Sequence, residues 1–438
     1  MKTDITGLPM LSVRDPVGSG GGSLDPLGLT PIGEQLAVEL IPGFRERQTH
    51  PRYLTAIAVS HAVCDGFPAD TVASDGVSEP WQVFEWYVVE GLVRSAETDS
   101  EVRVPGSQKT RAALAQNLPL CASRYLKTPS IFGFHGVYRL LARTLHVEQA
   151  DHLADFGFEL LDVWQKEQNL PGFHGSVDGV GKKIRQQFTE AVKIGLEKGA
   201  TDRSAAWAGW KNLHAYLEPT KAGPKEAALI WAKLKSENTG FSAEVLDFLV
   251  SQEGQSLVRD SDAGERAIYG ALKKIGSTDL RQRITTIQHY ENFCRLLHGA
   301  FEICRYEITQ ARGGMQAKEL SRLTAVKRAA EHLPDAFQKA EESLTDPIRQ
   351  SRFLNVFQSF GQKLRPEDFV VALYEHHKRI QKMKPPDGKV SWLERHFNGS
   401  LIIRPDYQLL KLPEMNEEFV NPYRINALSK FAKDLQQI

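Results

Sequence analysis

Arg139 and Arg143 stand four residues apart, a spacing that places two guanidinium groups on one side of a helix. They close a stretch, 103–147, that holds seven basic residues and no Asp or Glu: Arg103, Lys109, Arg111, Arg124, Lys127, Arg139 and Arg143. The whole chain of 438 residues is balanced, with 54 basic against 54 acidic side chains, so this stretch carries +7 and the remainder −7. Positive charge gathered in one segment of a neutral chain points to an anionic partner, and a nucleic-acid backbone is the commonest one. Tyr125, Phe132, Phe134 and Tyr138 are interleaved with the cations, where they can pack inward or stack on bases.

Other residue sets fall short of a reaction. Gly175 to Lys183 reads Gly-Ser-Val-Asp-Gly-Val-Gly-Lys-Lys, which approaches a phosphate loop. Its spacing is off by one residue, and Lys183 stands where a Mg²⁺-binding Ser or Thr is needed. Cys294 and His298 are four apart on one expected helix with His289 and Cys304, but no further ligands follow at a recognised spacing, so core thiols are expected. His376-His377 lies among charged residues and is expected on a solvated or phosphate-facing helix. Asp406 and Lys411 lack the second carboxylate that a restriction-type nuclease needs. Neither a Gly-x-Ser-x-Gly elbow nor a His-Glu-x-x-His helix occurs. No catalytic residue, cofactor or metal ligand is therefore expected. Two further basic regions, Arg45, Arg47, His50 and Arg52 near the N-terminus and Lys378 to Lys389 near the C-terminus, extend the possible phosphate-contacting surface.

The elements that must position the cations are helical. Pro129 to Leu145 is expected as one helix, with Thr128 as N-cap and Pro129 at its first position. Ile131, Phe134, Tyr138, Leu141 and Leu145 step by three and four along its packing face. Ser107 to Asn117 precedes it, and Ala154 to Gln168 follows a brief extended piece. That order fits a winged helix-turn-helix, whose second helix enters the major groove. Elsewhere helices are expected over 31–41, capped by Thr30, and over 51–63, 79–94, 182–196, 205–217, 225–235 and 243–252. A long pair, 280–312 and 317–332, joined at Gly313-Gly314, reads as an antiparallel hairpin. Helices over 346–360, 367–382 and 421–435 complete the series. Strands are expected only at 400–404 and 407–412.

The fold class expected is mainly α: a multi-domain helical protein with a winged-helix-like N-terminal half and a small β element near the C-terminus. The divisions expected are a flexible tail over 1–24 with its Gly18 to Ser23 tether, a DNA-binding domain over 25–175, a helical domain over 176–383 with the hairpin, and a strand-helix element over 384–438. Hydrophobic content of 41% and charged content of 25% suit a soluble globular chain. No apolar run is long enough for a membrane span, and the first residues lack an apolar signal segment. Four scattered cysteines, Cys64, Cys121, Cys294 and Cys304, fit a reducing, cytoplasmic setting.

Several short strings resemble a family of proteins encoded in bacterial anti-phage defence and DNA-modification islands. They are Leu27-Gly28-Leu29, Pro42-Gly43-Phe44, Arg52-Tyr53-Leu54, Lys127-Thr128-Pro129-Ser130, Leu160-Leu161-Asp162-Val163-Trp164, Leu170-Pro171-Gly172, Arg404-Pro405-Asp406-Tyr407 and Pro422-Tyr423-Arg424-Ile425. The resemblance implies a DNA-linked, multi-subunit setting and carries no catalytic residues. The expected function is a non-catalytic DNA-binding or scaffolding subunit of an anti-phage complex. Arg139 and Arg143 would lie along the groove of duplex DNA, with Lys109, Arg111, Arg124 and Lys127 on flanking phosphates. The alternatives are an adaptor that recruits a helicase, nuclease or modification enzyme, and a nuclease with an unrecognised site.

Overall fold

The computed structural model describes residues 25–96, 104–175, 177–237, 240–259, 264–311, 313–384, 388–414 and 418–437. The expected tail over 1–24, Arg103 and Pro385 to Asp387 lie outside these residues. The described chain is mainly helical, with two small two-stranded antiparallel sheets. It divides into two units, one of residues 1–40 and 256–423, the other of residues 41–255 and 424–438. The Gly172 to Gly181 break, expected at a domain boundary, falls inside the second unit, and residues 384–438 are shared between the two.

The second unit is built around the helix Pro80–Ser95, in which every residue from Val83 to Leu92 is buried. Such a helix, apolar nearly all round, belongs at the centre of a helical layer. Its start is fixed by a capping box in which the Glu79 amide donates to Gln82 Oε1 at 2.9 Å. The helices Arg52–Cys64, Ser107–Ala115, Val180–Lys198 and Ala208–Leu217 pack against it. Pro224–Ser236 and Asp155–Glu167 pack together beside Arg52–Cys64, and Ile425–Asp434 lies on Ser242–Val250.

The expected helix over 129–145 is broken in two, Pro129–Phe132 and Phe134–Thr144. Gly133 is extended, at φ −69° and ψ 165°, and Thr128 makes no side-chain cap. The break has two visible causes. The Glu85 carboxylate accepts the His135 amide at 3.0 Å, which starts a new helix there. Gly136 lets the two pieces close up, since a Cβ on it would stand 2.3 Å from the Ser130 carbonyl carbon. The packing stripe holds: Phe134, Tyr138, Leu141 and Leu145 are buried, and Ile131 alone is exposed. After this helix comes a hairpin, Glu148–Gln149 against His152–Leu153, turned by Ala150 and Asp151, both at positive φ.

In the first unit the helix Thr278–Gln310 runs antiparallel to Thr324–Ser343. Thr286 Oγ1 donates to the Ser343 carbonyl at 3.1 Å, and seven residues on, Phe293 meets Phe337 with centroids 6.0 Å apart. The second arm differs from expectation: Ala317–Leu320 is a separate turn, and the paired helix starts only at Thr324. Helices Gln252–Arg259 and Gly264–Ile275 form where none was expected. Thr30 is the first residue of its helix rather than the cap. Asp25 does that work, accepting the amides of Gly28, Leu29 and Thr30 at 2.8, 3.0 and 2.9 Å. The C-terminal strands are Leu393–Arg395 and Leu401–Ile403, with Met315 bridging to Leu401. Residues 407–412 form no strand; Tyr407 ends a 3₁₀ turn and stacks on Trp392, centroids 4.7 Å apart.

Candidate functional site

The six described cations of the basic stretch sit on four pieces of backbone in the second unit. Lys109 and Arg111 lie on the helix Ser107–Ala115, Arg124 on the 3₁₀ turn Ala122–Arg124, Lys127 in the following loop, and Arg139 and Arg143 on Phe134–Thr144. Lys109 and Lys127 are exposed, Arg111 is half-buried, and Arg124 donates from Nε to the Pro119 carbonyl at 2.7 Å. The interleaved aromatics are mostly core: Tyr125, Phe134 and Tyr138 are buried, and Tyr53 stacks on Phe134 at 5.1 Å. Phe132 is half-buried, with the Arg47 guanidinium 5.5 Å from its ring centre.

Arg139 and Arg143 do share a side of their helix, and the first two acids after the basic stretch turn back onto them. Glu148 Oε1 lies 3.5 Å from Arg139 Nε and 3.3 Å from Arg143 Nε. Asp151, at the hairpin tip, lies 3.3 Å from Arg139 Nη2 and 3.0 Å from Arg143 Nη2. The Arg139 and Arg143 side chains keep 29% and 46% exposure, and Asp151 keeps 69%, so the tip pairs are screened by water and weakly held. Arg139 also lies over Trp81, 5.6 Å from the ring centre.

Glu148 joins this patch to a second group. Its other oxygen, Oε2, lies 3.0 Å from His61 Nε2 and 3.0 Å from His135 Nε2. One ligand atom from each of His61, His135 and Glu148 lies within 4.8 Å of the others. The Glu148 side chain has no exposure, His135 has 3% and His61 has 16%. Trp81 packs edge-on to His135, centroids 4.7 Å apart. Burial opposes ionisation of Glu148, but the hydrogen bonds from His135 and His61 outweigh it and hold the carboxyl well below its ordinary range. Burial lowers His135 despite the neighbouring Glu148. A neutral ring donating from Nε2 to an ionised carboxylate satisfies both directions, and it leaves His135 Nδ1 buried without a partner.

Three elements deliver these groups: the helix Arg52–Cys64, the first turn of Phe134–Thr144, and the first strand of the hairpin. Sequence reasoning expected no metal ligands and passed over all three, because positions 61, 135 and 148 form no local spacing. The interruption of the basic helix at Gly133, which brings His135 into the first turn of Phe134–Thr144, is visible only in the structure.

Elsewhere the expected phosphate contacts are partly corrected. Arg52 is buried, donating to the Tyr216 carbonyl at 2.8 Å and pairing with Glu226 at 3.7 Å, so it is a core residue. His376 and His377 are buried too, bonded to the carbonyls of Leu27 at 2.8 Å and Pro26 at 2.9 Å. The Lys384 side chain is likewise buried rather than solvated. Cys294 and Cys304 are buried thiols in the long helix, as their apolar stripe implied. Lys182, in the segment approaching a phosphate loop, pairs with Asp178 at 2.5 Å. Among the described residues, no helix is long and apolar enough to cross a membrane. No protein-family model, curated protein or solved structure matches the chain.

Proposed function

We propose that the protein is a non-catalytic DNA-binding or scaffolding subunit of a bacterial anti-phage defence complex, and that the basic surface of the second unit rests on the backbone of duplex DNA. The observation that carries this reading is the acid-free basic stretch, which leaves Lys109, Lys127 and Arg143 on the surface while three of its aromatic residues, Tyr125, Phe134 and Tyr138, are buried in the core. Surface cations with mobile stems contact phosphates without reading sequence. The Asp151 pairs are exposed enough for a phosphate to displace them. The finer winged-helix reading draws support from the order of helix, basic helix and hairpin; strands of two residues would make a very short wing.

The test is fluorescence anisotropy of a labelled duplex with the wild type, with Arg139→Glu/Arg143→Glu and with Lys109→Glu/Lys127→Glu. The wild type is expected to bind at low salt and both variants to weaken by at least tenfold. The lysine pair is the cleaner probe, since neither residue is buried. Equal binding by all three proteins contradicts the reading.

A second reading, a protein-binding adaptor, has its own observation. Phe397 is 93% exposed, and Val390, Leu410 and Leu412 on the same C-terminal segment are 60, 78 and 63% exposed. Exposed apolar side chains on one segment are what a docking surface for another defence subunit offers.

A further inference from the structure

We propose that His61, His135 and Glu148 form a binding site for one divalent transition-metal ion of the zinc class. The donor set selects the ion. Two imidazole nitrogens and one carboxylate oxygen suit Zn²⁺, whereas Mg²⁺ and Ca²⁺ take oxygen ligands. The three ligands come from a helix, a helix start and a hairpin strand, 74 and 13 residues apart in sequence, and their ligand atoms converge within 4.8 Å. Both rings present Nε2 to the same carboxylate oxygen, each at 3.0 Å, so the three donors already face one point.

The surroundings supply part of what a metal centre needs: the His135 ring is packed, while its Nδ1, which a ligating imidazole donates to a carbonyl, carboxylate or water, is buried without a protein partner. Glu148 Oε1, the oxygen turned away from the histidines, lies at ion-pair distance from Arg139 Nε and Arg143 Nε, 3.5 and 3.3 Å. Trp81 packs on His135 and fixes its ring. Two arginines near a cation disfavour it electrostatically, and Asp151, paired with both, offsets part of that charge. Three protein ligands leave one position of a tetrahedral ion open to water, and His61, partly exposed, marks the side from which the ion enters. Coordination would tie the hairpin to the helices Arg52–Cys64 and Phe134–Thr144, stabilising the fold by mass action.

The site is tested on the full chain, stripped with a chelator and titrated with Zn²⁺ by calorimetry and with Co²⁺ by visible absorption, with no DNA present. The wild type is expected to bind one ion per chain, to gain thermal stability on binding, and to give Co²⁺ ligand-field bands without thiolate charge transfer. His61→Ala and Glu148→Gln, checked for folding by circular dichroism, are expected to lose affinity by more than the ~10–100-fold typical of a lost outer contact. A folded wild type that takes up no Zn²⁺, or variants that bind as it does, would show the cluster to be a hydrogen-bonded clamp. If a variant does not fold, the wild-type Co²⁺ spectrum still decides, because thiolate charge transfer would place the ion at a cysteine and overturn the assignment. None of these outcomes depends on whether the basic surface binds DNA.

Discussion

Glu85 and Glu148 both bond to His135, one at its backbone amide and one at its ring, and their surroundings drive them in opposite directions. Glu85 accepts the His135 amide and the Tyr125 hydroxyl, yet burial wins and pushes its carboxyl up to about 7. Glu148 is also buried, but two imidazoles bond one of its oxygens and its carboxyl is held low. The difference is the number and kind of donors, which residue type alone does not disclose. His376 and His377 make the same point. Their charged neighbours in sequence suggested a solvated face, but both rings point inward to the carbonyls of residues 26 and 27. Burial lowers each from an ordinary 6.5 to about 4. As pH falls, the unfolded chain takes up these protons first. The stability they contribute is therefore complete above about 6.5 and is lost as pH falls through about 4. Each histidine corresponds to a loss of about 3 kcal/mol over that window. Glu85, raised to about 7, acts in the opposite sense, because the folded chain takes up its proton first and gains stability as pH falls from about 7 towards 4.5. The histidine contribution is therefore read as a difference: in urea unfolding between about pH 6.5 and 4, the wild-type midpoint should fall relative to that of His376→Gln. Parallel pH profiles for the two proteins would mean the ring is charged or exposed in the native state.

At the scale of elements, apolar periodicity was the most legible feature. The stripe Phe134, Tyr138, Leu141 and Leu145 is buried as its spacing implied, and the long helix runs from Thr278 to Gln310 close to its expected limits. What periodicity could not reveal was the break at Gly133, because a glycine within a helical pattern is compatible with either a continuous or an interrupted helix. The decision was made by Glu85, 50 residues away, reaching the His135 amide. The Tyr407 to Leu412 segment failed for a related reason: its alternating apolar residues look like a strand, but Pro405 opens a 3₁₀ turn and Arg305 and Thr309 capture its backbone. Close packing of the broken helix predicts a local cost. Gly136→Ala places a methyl against the backbone of Ser130 and Pro129, which cannot swing aside, so the variant should lose about 1–3 kcal/mol of stability. The same change at Gly270, where nothing lies within 4 Å, should be tolerated. Equal denaturation midpoints for the two variants would contradict the close approach.

Over the whole molecule, the mainly helical class was legible from composition and pattern, whereas the division into units was not. Each unit is assembled from two separate stretches of chain, and a composition shift such as the glycines over 172–181 marks a loop as readily as a boundary. The strings behind the family resemblance also take on a physical meaning here. Arg52, Tyr53, Leu54, Leu160, Leu161, Trp164 and Tyr423 are all buried, so these members of the strings contribute to packing. The acid-free basic stretch of this neutral chain lies in the second unit. The most direct measurement is therefore the salt dependence of duplex binding by the wild-type protein. Six cations engaged on phosphates, each releasing counterions, predict a slope of log affinity against log salt of roughly −5. A slope near that value would support the basic surface of Lys109, Arg111, Arg124, Lys127, Arg139 and Arg143 as the contact. No binding at low salt, or binding with a flat salt dependence, would contradict it.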